Sequence, residues 1–333
     1  MQIGRYLITG LIVVSSANLF GQVNYITKKD DLKRMLTNQQ NHFIPQTVRD
    51  TLKALSDTIP QQNTGDPINY LLNLKVLELN KAKISDISPL SGLTNLNMLD
   101  LQENKIVNVK PLEKLTKLTL LNLENNNISD INPLAEIANL DVLGLQQNQI
   151  TDISPLAKLT KLTLLNLEGN KIKDLTPLAG LANLAVLGLQ QNQITDISPL
   201  AKLTKLTFLN LEGNNIKDLT ALSGLTNLQE LYLCENHNLQ DISPLKNLKL
   251  KILYLTEDQK KRFQVDQVLP DVTIKLCDTI KTKQYPIDEP VGRNIRKRTE
   301  IKRLQHLGHS KTAKNTAKPE IKIETKNLRP VLK

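Results

Sequence analysis

The stretch 148–170, NQITDISPLAKLTKLTLLNLEGN, decides the fold, because it returns at 192–214 as NQITDISPLAKLTKLTFLNLEGN with one residue changed. Working outward from it, blocks beginning at Leu71, Leu93, Leu115, Ile137, Leu159, Leu181, Leu203 and Leu225 align at a spacing of 22 residues, the last with one extra residue. Leu recurs at the fourth, seventh and ninth places, as in Leu162, Leu165 and Leu167. The twelfth place is Asn in Asn104, Asn126, Asn148, Asn170, Asn192, Asn214 and Asn236, and Ala82 in the first block is the exception.

This LxxLxLxxN pattern is the signature of a leucine-rich repeat. Leu at places seven and nine makes a short strand with one face inward, and the same strand of the next block lies beside it in parallel. Eight such strands at ~4.8 Å each give a ribbon ~38 Å long. Aromatics are only 3% of the chain and Trp is absent, so Leu and Ile must form the core. Each buried aliphatic contributes on the order of 1.5–3 kcal/mol. The Asn at place twelve sits where the chain turns inward, and its amide is expected to pair buried backbone groups. On the return side, Ser88, Asn132, Ser154, Thr176, Ser198, Thr220 and Ser243 occupy place eighteen, and Pro follows at 89, 111, 133, 155, 177, 199 and 244. We read these side chains as caps that start a short 3₁₀ turn, with Lys110 and Ala221 as lapses. The fold class is therefore α/β: a leucine-rich repeat solenoid at 71–255, with eight full repeats and a partial ninth, a curved parallel sheet on its concave side, short turns on its convex side and a helical N-terminal cap.

The block at 148–170, with its Asp-Ile-Ser-Pro-Leu element, resembles the 22-residue repeats of the internalin family of bacterial surface proteins. The resemblance covers 71–255 and implies a solenoid whose concave sheet binds a protein, often on a host cell. It does not extend to an immunoglobulin-like segment or an LPxTG-type wall-sorting sequence, so an invasion role is not implied. The 22-residue period also resembles the leucine-rich regulatory subunit of protein phosphatase 1. That resemblance implies the rival reading, an intracellular regulatory scaffold, although the rival family tends not to carry the Pro-Leu element.

The flanks read differently. One positive charge followed by YLITGLIVVSSANLF and small residues at Ala17 and Gly21 reads as a secretory signal peptide at 1–21, cut after one of those two; an uncleaved anchor or a buried helix is the alternative. The expected location is secreted, periplasmic or on the cell surface. Residues 22–70 are expected to cap the array with two helices: one over 27–37, one carrying Val48, Leu52, Leu55 and Ile59 on one stripe. A C-terminal cap follows at 256–290, read as a helix, a turn at Pro270 and a last strand. Cys234 and Cys277 fall on the eighth strand and at the end of this cap. With the ninth strand between them, two strand spacings of ~9.6 Å exceed the ~7 Å that a disulfide spans, so free thiols are expected. The formal charge of +10 lies in the tail at 291–333, with 13 basic and 3 acidic residues. That tail reads as solvated, or as attaching to an anionic polymer or membrane surface. Nucleic-acid binding by stacking is disfavoured, since no aromatic follows Tyr285.

The concave positions can be read in columns. Place six holds Val76, Met98, Leu120, Val142, Leu164, Val186, Phe208 and Glu230, expected as an apolar, solvent-facing strip. Place eight holds Glu78, Asp100, Asn122, Gly144, Asn166, Gly188, Asn210, Tyr232 and, on the ninth strand, Tyr254. Place ten holds Asn80, Gln102, Glu124, Gln146, Glu168, Gln190, Glu212 and Cys234. An apolar strip beside amides and carboxylates marks protein recognition, with Phe208 and Tyr232 as anchor candidates. The acids recur with the coil instead of converging, and no Ser, His and Asp set or phosphate loop is present. Four His and two Cys are too few and too scattered for a zinc module. We therefore read the chain as a non-enzymatic monomer without cofactor or metal, binding a protein on its concave face.

Overall fold

The computed structural model describes residues 46–59 and 67–277. The signal peptide expected at 1–21, the helix expected over 27–37, the part of the expected C-terminal cap beyond 277 and the basic stretch at 291–333 lie outside the described residues. Two helices lead in, α1 (Gln46–Thr58) and α2 (Pro67–Leu72). Nine strands follow, one per coil: β1 (Val76–Glu78), β2 (Met98–Asp100), β3 (Leu120–Asn122), β4 (Val142–Gly144), β5 (Leu164–Asn166), β6 (Val186–Gly188), β7 (Phe208–Asn210), β8 (Glu230–Tyr232) and β9 (Ile252–Leu255). Helices α3 (Glu257–Arg262) and α4 (Val265–Val268) and a last strand, β10 (Thr273–Leu276), close the described part. All ten strands form one parallel sheet in chain order. The register repeats without slippage, Leu99 beside Leu121, Leu121 beside Leu143 and Leu143 beside Leu165. A one-residue slip would turn every leucine to the wrong face, so the aliphatic core enforces it.

The core is a continuous column of Leu and Ile between the sheet and the return side, and most of its members have no accessible surface. The return segments are 3₁₀ turns, among them Ser88–Leu90, Ser154–Lys158 and Ser243–Leu245. Their caps differ from expectation. No turn is capped by its own Ser or Thr hydroxyl, because place eighteen is already the first residue of the turn. The acceptor stands two residues earlier: Oδ1 of Asp86, Asp152, Asp196 and Asp241 accepts from the backbone N–H of Ser88, Ser154, Ser198 and Ser243 at 2.8 Å. This is an Asx turn, which a short carboxylate or amide side chain makes naturally. It removes the lapse at Lys110, whose N–H donates to Oδ1 of Asn108. The Thr176 and Thr220 hydroxyls and N–H groups hold the Asp174 and Asp218 carboxyls below the usual range.

The ladder at place twelve works as a set of links between coils. Nδ2 of Asn170 donates to the carbonyls of Leu145 in the preceding coil and Leu167 in its own, both at 3.0 Å, while its Oδ1 accepts from the Ile150 N–H. Asn104, Asn126, Asn148, Asn192, Asn214 and Asn236 repeat the arrangement. Ala82 stands in the first coil, which has no preceding coil to bond, so an amide there would have no such partners. At the other end Gln259 of α3 takes over: its Nε2 donates to the carbonyls of Leu233 and Asn236. The same side chain completes a capping box with Thr256.

The ends are covered as the flanking stripes imply. Val48, Leu52, Leu55 and Ile59 are buried in the main core, and the Thr51 hydroxyl donates to the Asp86 carbonyl at 2.6 Å. Cys234 and Cys277 correct the expectation of free thiols: they form a disulfide, with Cα atoms 6.4 Å apart. Strand β9 does separate β8 from β10, but both cysteines lie past their strand ends. There β9 has already turned off at Thr256 into α3, and the two-strand spacing no longer applies.

Asn170→Ala removes donors and an acceptor from buried backbone groups in two coils. It is expected to lower stability to urea by about 2–4 kcal/mol, since each buried group left unpaired costs ~1–3 kcal/mol. A loss below ~0.5 kcal/mol would show that the ladder carries no load.

Candidate functional site

The sheet face opposite the leucine core is built by places six, eight and ten of each coil. Parallel pairing without slippage lines each column up: Val76, Met98, Leu120, Val142, Leu164, Val186, Phe208 and Glu230 are successive partners. The expectation that this strip faces solvent needs correction. Met98, Leu120, Val142, Leu164 and Phe208 are buried, and only Val76, Val186 and Glu230 are half-buried. The reason is contact along the ribbon. Met98, Leu120, Val142 and Leu164 pack as a cluster of their own, with Val76 and Val186 against it. Side chains one strand spacing apart shield one another, so pointing away from the core does not place them in water.

The carboxyl end of the same face is aromatic. Tyr232 and Tyr254 are in-register partners and stack with ring centroids 3.7 Å apart, and Phe208 lies 5.3 Å from Tyr232. Cys234 and Tyr254 are buried in this group, and Cys277 and Ile252 pack against it, so the disulfide closes one side of the aromatic cluster. The Lys275 ammonium sits 5.5 Å from the Tyr254 ring centre.

The polar columns are ordered by local hydrogen bonds. Oδ1 of Asn122, Asn166 and Asn210 accepts from the N–H of Glu124, Glu168 and Glu212, so place eight fixes the backbone that carries place ten. All three asparagines and Glu212 are buried. The Gln146 amide donates to the Glu124 carboxylate at 2.6 Å, and the Gln190 amide to that of Glu168. The expected residues thus come together on one face, and Gln146 and Gln190, which the sequence places in the place-ten column without singling them out, link its coils. Their signal was the alternation of Glu and Gln from coil to coil. Among the described residues no three His, Cys, Asp or Glu side chains converge as metal ligands would.

Comparison with known proteins agrees with this geometry. The family model for leucine-rich repeats in two copies matches residues 94–136, 138–180, 182–224 and 207–247. Internalin C2 of Listeria monocytogenes is similar in structure, with a TM-score of 0.58 and 37% sequence identity over 61% of this chain and 91% of that one. A leucine-rich repeat protein of Leptospira interrogans has a TM-score of 0.53 and 27% identity, over 63% of this chain and 62% of that one. The ectodomain of the Arabidopsis thaliana receptor kinase GASSHO1/SCHENGEN3, in complex with Casparian strip integrity factor 2, has a TM-score of 0.50 and 25% identity over 63% of this chain and 25% of that one. No curated protein matches the chain.

Asp100 occupies the place where later coils carry Asn, and it does the same work, with Oδ1 accepting from the Gln102 N–H at 3.0 Å. Burial raises its pKa from 3.8 to about 6, and the nearby Glu78 and Glu103 carboxylates push the same way. A carboxyl whose pKa is higher folded than unfolded binds more protons in the folded state, so stability falls as pH rises from 3.8 to about 6. Asp100→Asn is expected to raise stability at pH 7 by on the order of 2–3 kcal/mol, at ~1.4 kcal/mol per pKa unit. The gain should disappear below pH ~4 in urea melts followed across pH. An equal gain at every pH would contradict the assignment.

Proposed function

Because the chain belongs to the internalin-like leucine-rich repeat family, we propose that it is an exported, non-enzymatic solenoid that binds a protein partner through the sheet face opposite its leucine core. The observation that carries this reading is the second ordered surface itself. An apolar floor of in-register side chains runs from β1 to β7, with aromatic rings at one end and polar columns alongside. A core needs one such face; a sheet that carries a second, with carboxylates and amides along it, has the make-up of a recognition surface.

Export is supported by two independent features. The apolar start with small residues at Ala17 and Gly21 fits a cleaved leader. The disulfide between Cys234 and Cys277 fits an oxidising compartment, since such bridges persist outside the cytosol.

Two experiments test the proposal. Cell fractionation is expected to find a mature chain beginning at residue 18 or 22 outside the cytosol, with Cys234 and Cys277 refractory to thiol labelling until reduced. A full-length, thiol-reactive protein confined to the cytosol would contradict export. For recognition, the immobilised protein is compared with Val186→Lys plus Glu230→Lys on the outer face and with Lys158→Glu on the return side, each checked by far-UV circular dichroism. A partner held by the parent and by Lys158→Glu, and weakened at least tenfold by the double variant, is expected. A partner lost only with Lys158→Glu would contradict the choice of face.

A further inference from the structure

The segment that leads into each strand alternates from coil to coil. Into β3, β5 and β7 it reads Lys-Leu-Thr-Lys, from Lys114 to Lys117, Lys158 to Lys161 and Lys202 to Lys205. Into β4 it runs from Glu136 to Asn139, into β6 from Gly180 to Asn183 and into β8 from Gly224 to Asn227. The aliphatic residues of these segments are buried in the core, and the residues just named are exposed, so they form one edge of the array. The segments leading into β5 to β9, at 157–163, 179–185, 201–207, 223–229 and 245–251, hold seven lysines and no acid.

Neutral groups orient these cations. Nζ of Lys161 donates to Oδ1 of Asn139 at 2.6 Å, and Nζ of Lys205 to Oδ1 of Asn183 at 2.7 Å. Each asparagine is fixed in turn, its Nδ2 donating to the carbonyl of Thr116 or Thr160 in the coil before. An amide holds an ammonium in place without cancelling its charge. Among the described residues, Lys161, Lys202 and Lys205 form no ion pair.

Glu136 reveals what the row accepts. It begins its segment as Gly180 and Gly224 begin theirs, and its carboxylate stands 3.5 Å from the Lys158 ammonium of the next segment. At Gly180 and Gly224 that side chain is missing, and a Cβ built on either would meet no atom within 4 Å. Both positions are exposed. In the succession of segments, Lys158 and Lys202 stand on either side of Gly180, and Lys202 and Lys246 on either side of Gly224.

We propose that this edge binds a linear acidic polysaccharide, one carboxylate or sulfate seated at Gly180 and that of the next disaccharide at Gly224. Each anion meets ammonium groups there as the Glu136 carboxylate meets Lys158. The site is separate from the protein-docking face and does not depend on it. Spacing sets the class of ligand. Two coil spacings of ~4.8 Å put the two positions ~9.6 Å apart, close to the length of one disaccharide unit in an extended glycan. A nucleic-acid strand carries a phosphate every ~3.4 Å and gains from stacking, but these segments contain no aromatic residue. A membrane surface calls for cations spread over a plane, whereas past the strands each lysine has an acid next to it, Lys173 beside Asp174 and Lys217 beside Asp218. Lysine is a hydrated point charge without the rigid fork that Arg brings to bidentate contacts, which suits an anion on a flexible chain. Thr160 and Thr204, exposed between the lysines, supply hydroxyls for the sugar rings.

The test is lysine footprinting by mass spectrometry on the full chain, acylated with and without a chondroitin sulfate hexasaccharide at physiological ionic strength. The hexasaccharide is expected to slow acylation of Lys161, Lys202 and Lys205 at least fivefold and that of Lys173 and Lys217 less than twofold. Gly180→Glu with Gly224→Glu copies Glu136 into both open positions and should remove the protection of Lys202 and Lys205. Lys173→Gln with Lys217→Gln, the same change in net charge past the strands, should leave it intact, with thermal melting of both pairs within a few degrees of the parent. Absence of protection, equal protection of Lys173 and Lys217, or protection undiminished by the two glutamates would overturn the proposal. Equal protection of this edge by a neutral hexasaccharide, an oligothymidylate or phosphatidylserine vesicles would overturn it as well.

Discussion

A buried carboxamide that reaches back to the coil before it is the interaction on which the rest of this molecule depends. A coil of 22 residues cannot form a helix long enough, or a strand pair local enough, to satisfy its own backbone. The place-twelve Asn solves this with one donor group serving two coils and one acceptor serving the preceding coil, as Asn148 does for Leu123, Leu145 and Ile128. The links are directional, each coil bonded to its predecessor. Directionality explains both ends: Ala82 is tolerated where nothing precedes, and Gln259 is needed where the last coil would otherwise have carbonyls and no successor.

Much of this was legible in the sequence because the period is strict. Strand positions, 3₁₀ turns, the aliphatic core and the Asn ladder all follow from residue type at fixed places, and β9, α3 and β10 fall where the pattern breaks. What the period could not show were relations that depend on neighbours in space. The turn caps were assigned to Ser and Thr beside Pro, although Asp two residues earlier has the shorter reach to the N–H in question. The two cysteines were judged by strand spacing, which holds only while the strands last. Burial of Leu120 and Leu164 was missed because the face of a strand was equated with exposure, whereas contact along the ribbon buries side chains on either face.

The face opposite the core illustrates how duplication shapes chemistry. Copying coils in pairs gives neighbouring strands different polar residues, so the Gln146 amide donates to the Glu124 carboxylate across the boundary, and Gly144 lets the Asn122 and Gln146 side chains close over the backbone where a Cβ would clash. Copying single coils would have produced uniform ladders instead. At the carboxyl end the pattern gives way to stacked tyrosines backed by a disulfide, a rigid border in place of another repeat.

The ladder can be observed directly by amide hydrogen exchange. The N–H groups of Ile106, Ile128, Ile150, Ile172, Ile194 and Ile216 lie in no strand or helix, yet each donates to a buried asparagine oxygen at 3.0 Å. The account predicts that they exchange as slowly as the amides of the neighbouring strands. Exchange at the rate of ordinary loop amides, with the strands still protected, would contradict it.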